Sequence, residues 1–282
     1  MNYLSNLILD PLLQQWLQED IGRGDRTTMA IFPQGADNGK AFWLLKEKGI
    51  IAGLNVAKRV FQLLDNNVIF NSKIEEGKEY ETGTIIAEMS GKMDALLTGE
   101  RVALNLVMKL SGIATLTAKY TSALHPYPTK LVDTRKTTPG LRILEKYAVT
   151  VGGGINHRFG LDDAVMIKDN HIQACGGIPE AIKAVRQQMP YPLTIEVETS
   201  NLDEVRRALE HQADIIMLDN MTPAMMAEAV ILIRHNNPLI KIEASGNVTL
   251  NNLVAIAETG VDYISTSALI TKASWLDISM KF

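Results

Sequence analysis

Leu193-Thr194-Ile195-Glu196-Val197-Glu198, then Leu202 to Glu210, then Ile215-Ile216-Met217-Leu218-Asp219 read in turn as a short strand, a helix and a second strand. The same rhythm extends both ways. Upstream, Leu131-Val132-Asp133 precedes a helix from about Leu141, and Val165-Met166-Ile167-Lys168 precedes one from about Pro179 to Gln188. Downstream come a helix from Pro223 to about His235, the strand Ile240 to Ser245, a helix from Leu250 to Glu258, and Tyr263-Ile264-Ser265. Such alternation specifies a parallel sheet with helices outside it. Six strands are too few for the standard eight-stranded barrel, yet they follow closely enough to close on themselves. The expected fold class is α/β, with a short parallel barrel of six to seven strands. No strand leads into a Gly-x-Gly-x-x-Gly turn; Gly152-Gly153-Gly154 follows helix-like sequence instead.

The first third has a different grammar. Pro11 to Leu17 reads as a helix with Asp10 as its N-cap. Glu19 to Thr28 is a charged loop broken by Gly22 and Gly24. Ala41 to Leu45 is a strand and Val56 to Leu64 an amphipathic helix, and Val68 to Ser90 holds short strands cornered by Gly77, Gly83 and Gly91. Leu96 to about Leu124 reads as one or two helices, interrupted near Ser111-Gly112.

The chain has 282 residues, enough for a small domain plus a medium one. Its formal net charge of −4 favours neither nucleic acid nor a membrane surface. Cys175 is the only cysteine, which excludes an intrachain disulfide and fits a reducing compartment. Met1-Asn2-Tyr3-Leu4 lacks the basic start of a signal peptide, and no apolar run reaches membrane-spanning length. A cytoplasmic protein is expected.

Against this acidic background the cations Arg135, Lys136, His157, Arg158 and Lys168 gather on loops beside strand ends. An α/β protein keeps its ligands at such places, and a multiply charged anion is the natural partner. A lone histidine is usually a core or loop residue, but His157 stands among cations and is read with them. Lys168, Glu198, Asp219, Ser245 and Ser265 end later strands, where barrel sites are built. Glu196 and Glu198 are two apart and share a face, and buried carboxylates need partners that the cations can supply. Asp219-Asn220 before Pro223 is also a good helix cap. Ser245-Gly246-Asn247 and Ser265-Thr266-Ser267 offer small residues before a helix start, a place for phosphate or for an ordinary turn. There is no zinc-ligand spacing, no Gly-x-Ser-x-Gly elbow and no Walker loop. A cationic half facing carboxylates suits an anionic substrate meeting a polyphosphate. The carboxylates can hold Mg2+ through its waters or face a carbon that becomes positive.

At Asp133-Thr134-Arg135-Lys136-Thr137-Thr138-Pro139-Gly140, Asn156-His157-Arg158, Ile167-Lys168-Asp169-Asn170-His171 and Met217-Leu218-Asp219-Asn220 the chain resembles the quinolinate phosphoribosyltransferases. The resemblance runs from Glu19-Asp20-Ile21-Gly22 nearly to the C-terminus. It implies an N-terminal α/β sandwich of residues 1–112, joined by the tail 272–282, and a catalytic barrel of residues 113–271. It implies joining quinolinate to phosphoribosyl diphosphate with Mg2+, releasing pyrophosphate and CO2 and leaving nicotinate mononucleotide for NAD biosynthesis. It also implies a homodimer with shared active sites, with three dimers in a hexamer as an open further step.

Carried over by motif, Arg135, His157, Arg158 and Lys168 grip the pyridine dicarboxylate, with Arg101 from the neighbouring subunit. Lys136 and Lys168 meet the phosphoribosyl diphosphate, and Thr134 belongs to the same binding loop. Glu198 and Asp219 bind ribose and metal, the metal through water and substrate, and stabilise the cationic anomeric carbon. Ser245, Gly246 and Asn247, with the loop Thr266, Ser267 and Ala268, hold the 5′-phosphate. Two positions depart from many members of the family, which have glycine at Ser267 and histidine at Thr271. Three rivals are a relative associated with molybdenum transport, a Schiff-base aldolase using Lys168, and a non-catalytic phosphosugar-binding protein. The last needs phosphate loops but neither Glu198, Asp219 nor five cations.

Overall fold

A computed structural model of the chain describes residues 4–282. Met1, Asn2 and Tyr3, part of the stretch read above as lacking a basic start, lie outside the described residues. The chain forms two compact units. The first takes residues up to Ala118 with Thr138–Gly153 and Lys272–Phe282, and the second takes Lys119–Thr137 and Gly154–Thr271.

In chain order the elements are α1 (Asn6–Ile21), α2 (Arg26–Ile31), β1 (Asn38–Leu45), β2 (Gly49–Ile50), α3 (Leu54–Leu64), β3 (Ile69–Ser72), β4 (Glu79–Tyr80), β5 (Ile85–Lys92) and α4 (Met93–Leu124). Then come β6 (Lys130–Val132), α5 (Arg142–Val151), β7 (Val165–Ile167), α6 (Asp169–Cys175), α7 (Ile178–Gln188), β8 (Ile195–Thr199), α8 (Leu202–Glu210), β9 (Ile215–Asp219) and α9 (Pro223–Asn236). The last are β10 (Lys241–Ser245), α10 (Leu250–Ala257), β11 (Tyr263–Ser265), α11 (Ala268–Thr271) and β12 (Ile278–Lys281). Among the described residues no helix is long and apolar enough to cross a membrane.

The first unit is built on an antiparallel sheet in the order β12-β1-β5-β3. Alternation along β1 sends Ala41, Trp43 and Leu45 to its buried face. Helix α3 brings Val56, Ala57, Val60 and Phe61 into the core. Trp43 meets Phe61 and Phe70 with ring centroids 6.3 and 5.6 Å apart. Burying each such aromatic contributes about 1.5–3 kcal/mol, which makes this cluster the centre of the unit's core.

Three expectations change here. Helix α1 begins at Asn6 with Ser5 as its cap, and Asp10 lies inside it in a two-point ion pair with Arg59. The charged loop is shorter than expected, since Asp25 caps the helix α2 by accepting from Thr28 N. Helix α4 is unbroken at Ser111-Gly112. Ser111 Oγ accepts from Ala52 N at 3.0 Å, and a Cβ on Gly112 would overlap the carbonyl oxygen of Ser274. These two small residues serve close packing rather than a helix end.

The second unit is a parallel sheet in the order β6-β11-β10-β9-β8-β7. Ile155 adds a seventh segment by a parallel bridge to Val132 of β6. On a flat sheet β8 would lie five strand steps, about 24 Å, from that segment. Yet His157 Nε2 is 3.2 Å from Glu196 of β8 and 3.5 Å from Glu243 of β10. The sheet is therefore rolled into a short barrel, with no strand pairing recorded between Ile155 and β7 among the described residues. Outward-facing Ile195, Val197, Ile216, Leu218, Ile242 and Ala244 are all buried under the surrounding helices. The inward positions two apart carry the polar groups, and these define the site.

Candidate active site

Asp133 follows β6 and is fully buried. Its Oδ1 accepts the backbone N–H of His157 at 2.8 Å, and its own N–H donates to Ile155 O at 3.1 Å. This double tie brings the Thr134–Lys136 loop beside His157 and Arg158, although some twenty residues separate them. Burial first, then the charge of Arg135, lowers the Arg158 pKa below the usual guanidinium value. An anion between the two guanidinium groups relieves that repulsion. Arg135 Nε is buried without a hydrogen-bond partner among the described residues, while Arg158 Nη1 donates to Ala164 O at 2.7 Å.

These residues wall a cavity of about 590 Å³, within the range of small-molecule sites. Its cationic side holds Arg135, Lys136, Arg158 and Lys168, with Thr134 and His157 between them. Its carboxylate side holds Glu198, Asp219 and Glu243, and the small residues Ser245, Gly246, Asn247 and Ser265 complete the rim. Met166 and Met217 supply apolar wall. The two sides meet where Lys168 Nζ lies 2.6 Å from Glu198 Oε2. A Schiff-base lysine needs an apolar pocket; an amine paired to a carboxylate does not have one.

On the barrel floor, His157, Glu196 and Glu243 present three possible metal-ligand atoms within 4.8 Å of one another. The hydrogen-bond pattern speaks against a metal there. Arg158 N donates to His157 Nδ1 at 2.7 Å, so that nitrogen is bare and the ring hydrogen sits on Nε2, facing the carboxylates. Burial would lower the imidazole pKa, but the hydrogen bonds and charges of Glu196 and Glu243 reverse this and push it up to about 10. A doubly protonated ring would set Nδ1–H against the Arg158 N–H, so the two indications conflict near neutral pH. The bond geometry fixes the tautomer of the ring, and the neighbouring carboxylates raise its affinity for a proton. Burial and the charge of Glu243 push the Glu196 pKa up, against the pull of His157.

One expected helix cap falls to another residue. Thr222, not Asp219-Asn220, caps α9 by accepting from Met225 N. Asp219 is thereby left facing the cavity. Arg101 lies on α4 in the first unit, with 68% of its side chain exposed and Nη2 bonded to Glu100, and it is not among the lining residues. Thr266, Ser267 and Ala268 are also not among them. Thr266 Oγ1 donates to Val248 O and accepts from Ala268 N, and Ser267 O takes the hydroxyl of Thr271. Glu243 was missed by sequence reasoning, though its spacing two before Ser245 on β10 is the signal that marks Glu196 and Glu198.

The models for the quinolinate phosphoribosyl transferase N-terminal and C-terminal domains match residues 25–111 and 113–281. Over 275 residues the chain is 62% identical to a protein of Synechocystis sp. named probable nicotinate-nucleotide pyrophosphorylase (carboxylating), covering 98% of this chain and 92% of that one. It is 47% identical to the Bacillus subtilis protein of the same name, covering 98% and 94%. The crystal structure of NadC from Streptococcus pyogenes matches with a TM-score of 0.92 at 42% identity, covering 99% of this chain and 97% of that one.

Proposed function

The chain belongs to the quinolinate phosphoribosyltransferase family, and we propose on that footing how its second unit does the chemistry. It transfers phosphoribosyl from phosphoribosyl diphosphate to quinolinate with decarboxylation, giving nicotinate mononucleotide, pyrophosphate and CO2 in NAD biosynthesis. The observation that carries the reading is one cavity with guanidinium and ammonium groups on one side and Glu198 and Asp219 on the other.

In our reading Arg135, Arg158 and Lys168, with His157, take the two carboxylates of quinolinate, for which the planar guanidinium fork is suited. The pyridine nitrogen attacks the anomeric carbon as its bond to the diphosphate oxygen breaks. Glu198 and Asp219 face the positive charge that develops there. Lys136 and Lys168 hold the departing pyrophosphate. In the same reading Ser245, Gly246 and Asn247 take the 5′-phosphate, and Thr266, Ser267 and Ala268, outside the cavity lining, are proposed to extend that loop. The carboxylate next to the ring nitrogen then leaves as CO2, its bonding pair stays on the ring carbon, and a proton replaces it. The neighbouring cations stabilise that carbanion.

Mg2+ fits the carboxylate side, since Glu198 and Asp219 are hard oxygen donors with one oxygen each engaged by Lys168 and Asn220. Bound with the substrate, it would neutralise charge on the diphosphate. We further propose a cytoplasmic homodimer in which Arg101 of the partner subunit covers the cationic side.

A coupled assay with phosphoribosyl diphosphate and either quinolinate or nicotinate tests the substrate assignment. Quinolinate is expected to turn over at least about a hundredfold faster, because a site built for a second charged group is left unpaired without it. Equal turnover of the two acids would overturn it.

A further inference from the structure

Asn220 and Asn247 sit at the ends of neighbouring strands β9 and β10, and both have left-handed backbone, with φ of 54° and 51°. Non-glycine residues adopt that region at a cost, so the arrangement is held by its surroundings. Here the bonds that hold it form one connected clip. Asn220 Nδ2 donates to Asp219 Oδ2 at 2.6 Å. Asn220 Oδ1 accepts from Asn247 Nδ2 at 3.0 Å, and Asn220 N donates to Ser245 O at 2.9 Å. Asn247 O in turn accepts from Asn252 Nδ2 at 3.1 Å. Between them Gly246 has φ of 92°, and a Cβ there would come within 2.8 Å of Asn220 N and overlap its side chain. Gly246 is thus small for the sake of Asn220 as well as any ligand.

From this we infer that Asn220 is a positioning residue: it aims the Asp219 carboxylate at the anomeric carbon and locks it to the Ser245–Asn247 loop, so ribose and 5′-phosphate are gripped by one rigid piece. The inference rests on the role proposed for Asp219. It follows from the bonding pattern, since the amide donates to the carboxylate with one end and accepts from the phosphate-side loop with the other. A carboxamide does both. An aspartate keeps the acceptor but loses the donor and sets a second negative charge against Asp219. A glycine accepts the backbone angle without strain and removes both side-chain bonds.

The test compares Asn220→Gly, Asn220→Asp, Asp219→Asn and the double variant Asp219→Asn/Asn220→Gly. Each is measured for kcat, for the KM of each substrate, for thermal midpoint and for affinity for ribose 5-phosphate, a probe carrying both gripped groups. Asn220→Gly is expected to melt near wild type, to lose about tenfold or more in kcat, as misaimed groups do, and to bind ribose 5-phosphate several-fold more weakly. The KM for quinolinate should stay within about twofold, and Asn220→Asp should be at least as impaired in kcat. In the Asp219→Asn background Asn220→Gly should add little further loss of kcat, because one residue acts through the other. Wild-type kcat in Asn220→Gly, or fully multiplicative losses in the double variant, would overturn the inference while leaving Asp219 its role. Wild-type turnover in Asp219→Asn would remove the footing itself.

Discussion

Lys168 Nζ and Glu198 Oε2 stand 2.6 Å apart, so an ion pair joins the cationic and carboxylate sides of the cavity. With 44% of the Lys168 side chain exposed, the pair stabilises the fold little; exposed pairs are worth about 0–1 kcal/mol. Its position at the meeting of the two sides matters more than its strength.

Glu198→Gln therefore separates charge from shape. The variant should fold and melt within a few degrees of wild type, yet lose turnover by about a hundredfold or more, the scale of removing an electrostatic stabiliser of a developing charge. Steady-state rates at saturating Mg2+ and substrates decide it. A near-wild-type kcat would leave Glu198 as a structural partner of Lys168 and nothing more.

The Asp10–Arg59 pair gives a pH prediction in the first unit. The hydrogen bonds from Arg59 hold the Asp10 carboxyl below its usual pKa, with burial opposing them. A depressed folded pKa means the stabilisation is present above the unfolded value, about 3.9, and is lost as pH falls through the lower folded value. Asp10→Asn should thus melt below wild type at pH 7, and the gap should narrow as pH drops below about 4. A gap independent of pH would show that the carboxylate charge is not what Arg59 uses.

Gly112 offers a prediction whose sign runs against helix propensity. An exposed Gly→Ala change in a helix gains up to about 1 kcal/mol. At Gly112 the new methyl would overlap the backbone of Ser274, which cannot yield as a side-chain tip can. Overpacking of this kind costs about 1–3 kcal/mol, so Gly112→Ala should lower the thermal midpoint. An increase would mean that the 272–282 tail moves aside without cost.

The same glycine shows where sequence reading stops. Period and alternation located β9, α8 and β11 at their true bounds, because each is a short run whose apolar face packs on its neighbours. The same rule brought Arg135, Lys136, His157, Arg158, Lys168, Glu198 and Asp219 to strand ends, and the fold gathers them on one cavity. Local reading failed where a residue answers to a distant one. Gly112 looks like a helix break until Ser274 is beside it, and Asp10 looks like a cap until Arg59 claims it. Asp219-Asn220 looks like a cap until Thr222 takes that place. Helix α6 was invisible for another reason: it is seven residues, none of them buried, and carries no apolar period.

Arg101 is the one expected ligand on the first unit, and its role is open to a direct test. Its side chain is largely exposed and, among the described residues, is bonded to neighbouring Glu100, which leaves it available to a second copy of the chain. If Arg101 of the partner subunit completes each site, Arg101→Ala and Lys168→Ala homodimers should each be nearly inactive. A mixed dimer then has one site with both lesions and one with none. Random assembly makes half the dimers mixed, and each has one intact site of two, so activity should recover to about a quarter of wild type if sites are independent. Co-expression or joint refolding is needed, because a stable interface does not exchange on mixing. Purified mixed dimers should reach about half of wild type by the same count. Mixed dimers as inactive as their parents would mean that Arg101 serves its own subunit, and a fully active Arg101→Ala homodimer would mean that it has no part in the site.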